Sequence, residues 1–218
     1  MKNRKKLTHE GFTLVELLVA IAIIATLAAI SASAVVRFRK SADKTLALGN
    51  LRQLQTANVS YSSDHNGRFV PPKEKIDGVL WYVNPELISQ LKGDQATYSS
   101  SGGTPDTTLP ISMMDPAVVR TKSAGYEKLS GSYAYTRTLE QDPVVISRLK
   151  DAARSAAFIT ADGDGFVDHT NQSKIAYRHA DKAVVVYYGG HAAILNRGNM
   201  SRIDSNGGAS NIFWAPTE

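Results

Sequence analysis

Cysteine is absent from the 218 residues, so the chain has no disulfide framework, no thiolate metal site and no cysteine nucleophile. Proline is absent before Pro71, and nothing ahead of it forces a helix to break. Charge of one sign is scarce as well, the formal net charge being +5. Much of that excess sits in Met1–Gly11, where Lys2, Arg4, Lys5 and Lys6 stand against Glu10; the other 21 basic and 19 acidic residues nearly cancel. Such a balance lacks the concentrated basic face of a nucleic-acid binder, and no nucleic-acid partner is indicated. The histidines include no pair at helical metal-ligand spacing, which argues against zinc. No G-x-S-x-G elbow, Walker loop or dinucleotide fingerprint occurs, so no motif points to an enzyme. A hydrophobic content of 43% with 21% charged residues is nevertheless that of a folded protein.

What the chain does have is a long apolar run. From Phe12 to Val36 the only ionisable residue is Glu16. As a helix this segment would reach about 37 Å, enough to cross a hydrocarbon core of about 30 Å. The basic leader favours a cytoplasmic N-terminus and export of the remainder. A cleaved secretory signal has a shorter apolar core, about 7 to 15 residues, although Ala32-Ser33-Ala34 offers a small-x-small site for late cleavage. A plain anchor has no use for Glu16, because a carboxylate in a membrane helix is costly and marks function.

Gly11-Phe12-Thr13-Leu14-Val15-Glu16 after a short basic leader, continued by Leu17-Leu18-Val19, resembles the processing site of type IV pilins and type II secretion pseudopilins. The resemblance implies cutting by a prepilin peptidase between Gly11 and Phe12 on the cytoplasmic face. It implies methylation of Phe12 and places Glu16 as the fifth residue of the mature chain, where the acid serves assembly.

Beyond the apolar run, Ala47, Leu51, Leu54, Asn58 and Tyr61 step by four and three, with Phe38 and Ala42 leading in. This is one stripe of an amphipathic helix, with Gly49 a weak point and the turn-rich Ser62–Gly67 its end. Residues 1–11 are then a cleaved basic leader, 12–36 the transmembrane half of the helix, 37–62 its amphipathic half and 63–218 an exported α+β head. Short strands are predicted at Val79–Val83, Ser132–Thr136, Ala156–Thr160, Ala183–Tyr188 and His191–Leu195. Gly189-Gly190 supplies the two permissive residues of a tight hairpin turn. The predicted fold class is α+β: a long N-terminal membrane-spanning helix packed against a small antiparallel sheet, which is pilin-like.

The C-terminal half resembles a pilin-like group in which a histidine is followed, after nine residues, by Asp-Gly. Here His179 is followed at that spacing by Gly189-Gly190, so the aspartate is replaced. The one dense acidic cluster, Asp162-Gly163-Asp164-Gly165-Phe166-Val167-Asp168, allows two readings, a solvated turn or a weak extracellular calcium site. Asp162, Asp164 and Asp168 would be the ligands, and calcium the only cofactor considered. It lacks the EF-hand spacing; the resemblance to major pseudopilins, which hold calcium in a C-terminal loop, favours the metal. Trp81, Tyr82, Phe213 and Trp214 read as packing aromatics, with the tail near Trp214 the better recognition patch.

The leading reading is a non-enzymatic structural subunit of a type IV pilus-like or type II secretion pseudopilus filament. Its partners would be prepilin peptidase, the inner membrane and homo- or hetero-oligomeric filament subunits, with the head in the periplasm or on the surface. The alternative is a membrane-anchored, non-polymerising envelope protein whose head binds calcium or a small ligand; an exported hydrolase on a long anchor ranks last.

Overall fold

A computed structural model of the chain describes residues 12–75, 78–92, 111–121, 131–137, 142–163, 165–206 and 211–214. The chain divides into two compact units, Met1–Lys40 and Ser41–Glu218. One helix, α1 (Leu14–Asp64, 51 residues), supplies the described structure of the first and opens the second. It is long and apolar enough to cross a membrane, with a window of mean hydropathy 2.5 that is not buried at all. The large apolar side chains of this window, Ile23 and Ile30 among them, lie open on the helix surface. A surface of that kind is stable only against lipid or other apolar helices.

In the second unit α1 presents Ala47, Leu51, Leu54, Asn58 and Tyr61 as one buried face, the stripe legible in the sequence. Phe38 and Ala42 do not belong to it: Phe38 is 76% exposed and Ala42 is also exposed. Buried packing starts one turn beyond Asp43, which ion-pairs with Arg120 of α3 (Pro116–Thr121). The helix stops where expected. The N–H of Gly67 donates to the Ser62 carbonyl at 2.8 Å, and Asn66 and Gly67 both take positive φ, the left-handed exit that glycine and asparagine tolerate.

Four antiparallel strands form one sheet in the order β1 (Tyr133–Tyr135), β2 (Ala156–Thr160), β3 (Lys182–Tyr187) and β4 (Ala192–Asn196). The predicted α+β class is therefore observed. Tyr133, Tyr135, Phe158, Val184 and Val186 turn to the core that α1 closes, together with Trp81, Phe69 and Leu87 of α2 (Pro85–Lys92). Ala134, Ile159, Ala183 and Val185 turn to a second core under Met200 of α4 (Arg197–Ser205), Phe213 and Trp214. Side chains alternate along a strand, and with both faces covered the strands read as unbroken apolar runs rather than alternating ones. At a register shift between Ala156 and Phe158, Ala157 and Phe158 both join the α1-side core, as an extra residue in one strand requires.

Two expectations need correction. Val79–Val83 is not a strand: Leu80 makes one isolated bridge to Lys73, and Trp81–Val83 is a 3-10 turn. Its job is to bury Trp81, whose indole N–H donates to the Gly165 carbonyl at 2.8 Å. The hairpin turn is also longer than two residues. Tyr187 accepts from the Gly190 N–H, donates to the His191 carbonyl, and only Gly190 has positive φ (+85°), so the loop is the three-residue kind that needs one left-handed residue.

Candidate functional site

The first site is the start of α1. Thr13 precedes the first helical residue, and Glu16 stands three residues on. The Thr13 N–H and hydroxyl both donate to Glu16 Oε2 at 2.8 Å, and the Glu16 N–H donates to Thr13 Oγ1 at 3.3 Å. This is a capping box: hydroxyl and carboxylate satisfy each other's backbone donors, which a helix start leaves orphaned. The pattern S/T-x-x-E is readable in the sequence, and sequence reasoning missed it by treating Glu16 as a charge rather than as the hydrogen-bond partner of Thr13. Phe12 is 77% exposed. Gly11 lies outside the described residues.

The second site lies deep in the head. Asp115 is fully buried, and its Oδ2 accepts from His179 Nε2 and from Arg178 Nη1, both at 3.0 Å. Its Oδ1 accepts the Ala117 N–H at 2.9 Å and so starts α3. Arg178 continues through Nη2 to Asp162 Oδ1 at 2.6 Å and to the Ala161 carbonyl. Burial pushes the Asp115 carboxyl up, but the hydrogen bond from His179 and the charges of His179 and Arg178 outweigh it and hold it below the ordinary value. The turn after His179 places Ala180 and Asp181 in the left-handed region, φ +55° and +58°, a conformation unfavourable for alanine that the surrounding contacts must maintain.

This answers what His179 does here. Its carboxylate partner comes from 64 residues upstream, not from position 189, ten residues downstream. Position 189 is tight for one: a Cβ on Gly189 would sit 3.2 Å from the Ala152 carbonyl oxygen, which already accepts the Gly189 N–H, so that backbone would have to give by a few tenths of an ångström. With His179 only 2% exposed, the pair clamps the residue-115 loop to the turn that precedes β3.

The acidic turn is brought into the same network. Asp162 is held by Arg178, and Asp168 Oδ1 caps its own turn by accepting from the Thr170 N–H, the Thr170 hydroxyl and the Asn171 N–H. Asp164 lies outside the described residues. Among the described residues no group of three His, Asp or Glu side chains gathers as a metal site. A cation at Asp162 would have to compete with the Arg178 guanidinium. Melting the detergent-solubilised full chain in millimolar calcium and in chelator is therefore expected to give the same Tm; a rise with calcium, by mass action on the folded state, would restore Asp162, Asp164 and Asp168 as ligands.

Trp214 and Phe213 are 4% and 3% exposed, and the Ala156 N–H donates to the Phe213 carbonyl. They are core, as the packing reading of these aromatics expects; the tail that follows Trp214 lies outside the described residues. The polar rungs of α1 were also missed. Asn50 donates to the carbonyls of Ser112 and Met114, Gln55 to that of Tyr188, and Asn58 accepts the Val70 N–H. These side chains dock three loops on the helix, satisfying buried backbone groups that have no strand partner.

Residues 8–32 match the family described as the prokaryotic N-terminal methylation motif. The chain is type IV pilin-like. No curated protein and no solved structure matches it. The matched segment covers the Thr13–Glu16 cap and the apolar turns that follow, so the pilin-type signature lies within the first unit. The motif family points to a structural subunit rather than an enzyme, and the apolar helix is compatible with membrane anchoring.

Proposed function

We propose that this pilin-like chain is a structural subunit of a type IV pilus-like or type II secretion pseudopilus filament, cut after Gly11 by a prepilin peptidase and assembled through residues 12–36 of α1. The observation that carries the reading is the methylation motif running directly into a helix surface that is apolar and wholly exposed. Such a stripe leaves lipid only by packing against like stripes, and head-to-tail repetition of one interface gives an open helical assembly. Residues 37–62 would then carry the helix into a head held on the periplasmic side of the inner membrane.

Intact-mass analysis of membrane-extracted protein tests the processing step. The mature chain is expected to begin at Phe12 with a methylated amine, and a bulky residue in place of Gly11 is expected to leave full-length precursor. A chain beginning at Ser33, Ala34 or Val35, or one retaining Met1, overturns it. The capping box supports a second reading, a non-polymerising anchor, because there Glu16 has an intrachain task sufficient to explain its presence.

A further inference from the structure

We infer that the groove between β4, α4 and the Asn211–Trp214 turn binds an anionic, hydroxylated ring, the chemistry of a uronic-acid saccharide. Its volume is about 550 Å³, inside the range of about 300–1,000 Å³ usual for small-molecule sites. Arg154, Arg202 and His191 line it, with no carboxylate among the lining residues whose side chains are described. Elsewhere in the head Arg120, Arg178 and Arg197 each hold an aspartate. Arg154 and Arg202 are exposed and hold none among the described residues, so two guanidinium forks that match a carboxylate are left open at one groove.

The groove also offers a flat surface. His191 stacks on Tyr187 with ring centroids 4.4 Å apart and planes within 6°, and His191 is itself exposed. A saccharide presents an apolar C–H face to such a platform and hydroxyls around its rim. Amides for those hydroxyls are present: the Asn206 side chain and Asn199 Nδ2 have no hydrogen-bond partner among the described residues, and both residues line the groove. A neutral sugar would leave the arginines unused. An acidic peptide would leave the stacked rings unused.

Tryptophan fluorescence of the detergent-solubilised full chain provides the measurement. Trp214 packs edge-on against Phe213, 4.7 Å between centroids, and Phe213 lines the groove; the other tryptophan, Trp81, lies in the α1-side core. Trigalacturonate is expected to give a saturable change, and its methyl ester to bind at least ~10-fold more weakly, since the charge-assisted pairs are lost. Arg154→Ala with Arg202→Ala is expected to weaken trigalacturonate ~10-fold or more with Tm unchanged, both side chains being exposed. Equal binding of the ester, undiminished binding by the double variant, or no saturable change at millimolar trigalacturonate overturns the inference. So does tighter binding of an oligoglutamate peptide, which would make the groove a protein-docking site. The ester comparison uses the unaltered protein and stands whatever the variant does.

Discussion

Filaments are expected to disappear from cells whose subunit carries Glu16→Ala or Glu16→Gln, while both variants remain inserted in the membrane and are still cut after Gly11. The two substitutions separate the two tasks of Glu16. In the structure its carboxylate accepts from the Thr13 N–H and hydroxyl, and glutamine can take the same place in a capping box. Glu16→Gln therefore keeps the helix start and removes only the charge; Glu16→Ala removes both. After cleavage the new amine of Phe12 is a cation at the edge of a low-dielectric region, where an unpaired charge is costly. In the proposed filament a carboxylate from an incoming subunit would neutralise it and fix axial register, which an amide would not. Insertion should be no worse for either variant, since deleting a charge eases transfer into lipid. Membrane fractionation, intact mass and shearing of surface filaments read the three steps separately. Wild-type filament yield from Glu16→Gln would reduce Glu16 to a cap; wild-type yield from Glu16→Ala would remove the assembly role altogether; absence of filaments from the unaltered subunit as well would favour the non-polymerising anchor.

The second large effect is expected inside the head. Asp115→Ala should lower its stability by about 3–5 kcal/mol, the range found when one member of a buried charge pair is deleted. For a protein of this size that is a fall in Tm of roughly 6–20 °C. The reason is asymmetric: Arg178 keeps Asp162 and two carbonyls, but the nearly fully buried Nε2 of His179 loses its partner, and α3 loses the acceptor that starts it. The same carboxylate sets a pH dependence. Because its folded pKa lies below the ordinary value, the stabilisation is fully present above the unfolded value of about 3.9. It is lost as pH falls through the lower folded one. Asp115→Asn should therefore flatten the acid limb of a stability–pH profile below about pH 4. Melting of Asp115→Ala within 2 °C of the wild type, or an acid limb unchanged in Asp115→Asn, would count against the clamp.

The long-period features of this chain were legible because they are local. A membrane-length apolar run, its flanking charges and the stripe Ala47–Tyr61 each follow from helix geometry along one segment, and α1 runs through both. The strands at Tyr133–Tyr135, Ala156–Thr160 and Lys182–Tyr187 were legible for a similar reason, being β-branched or aromatic and bounded by turns. Val79–Val83 carried the same signal and is not a strand. Its residues are apolar because Trp81 must reach the Gly165 carbonyl, 84 positions away, and an apolar run does not say what it is buried against. The second core was invisible for the same cause: helix α4 and the Phe213-Trp214 turn have no strong pattern of their own, and their burial depends on the far face of the sheet.

By itself, then, the sequence determined the long apolar helix and the methylation motif of residues 8–32 that contains Gly11, Phe12 and Glu16, because both are written in one continuous stretch of chain. It also determined the α+β class. Only the tertiary structure decided that His179 pairs with Asp115, that Asp162 answers Arg178, and that Trp214 packs on the far face of the sheet. Burial leaves each such group the choice of a partner or a steep desolvation cost, and the partner is whichever group the fold brings within about 3 Å. Sequence spacing carries no record of that distance.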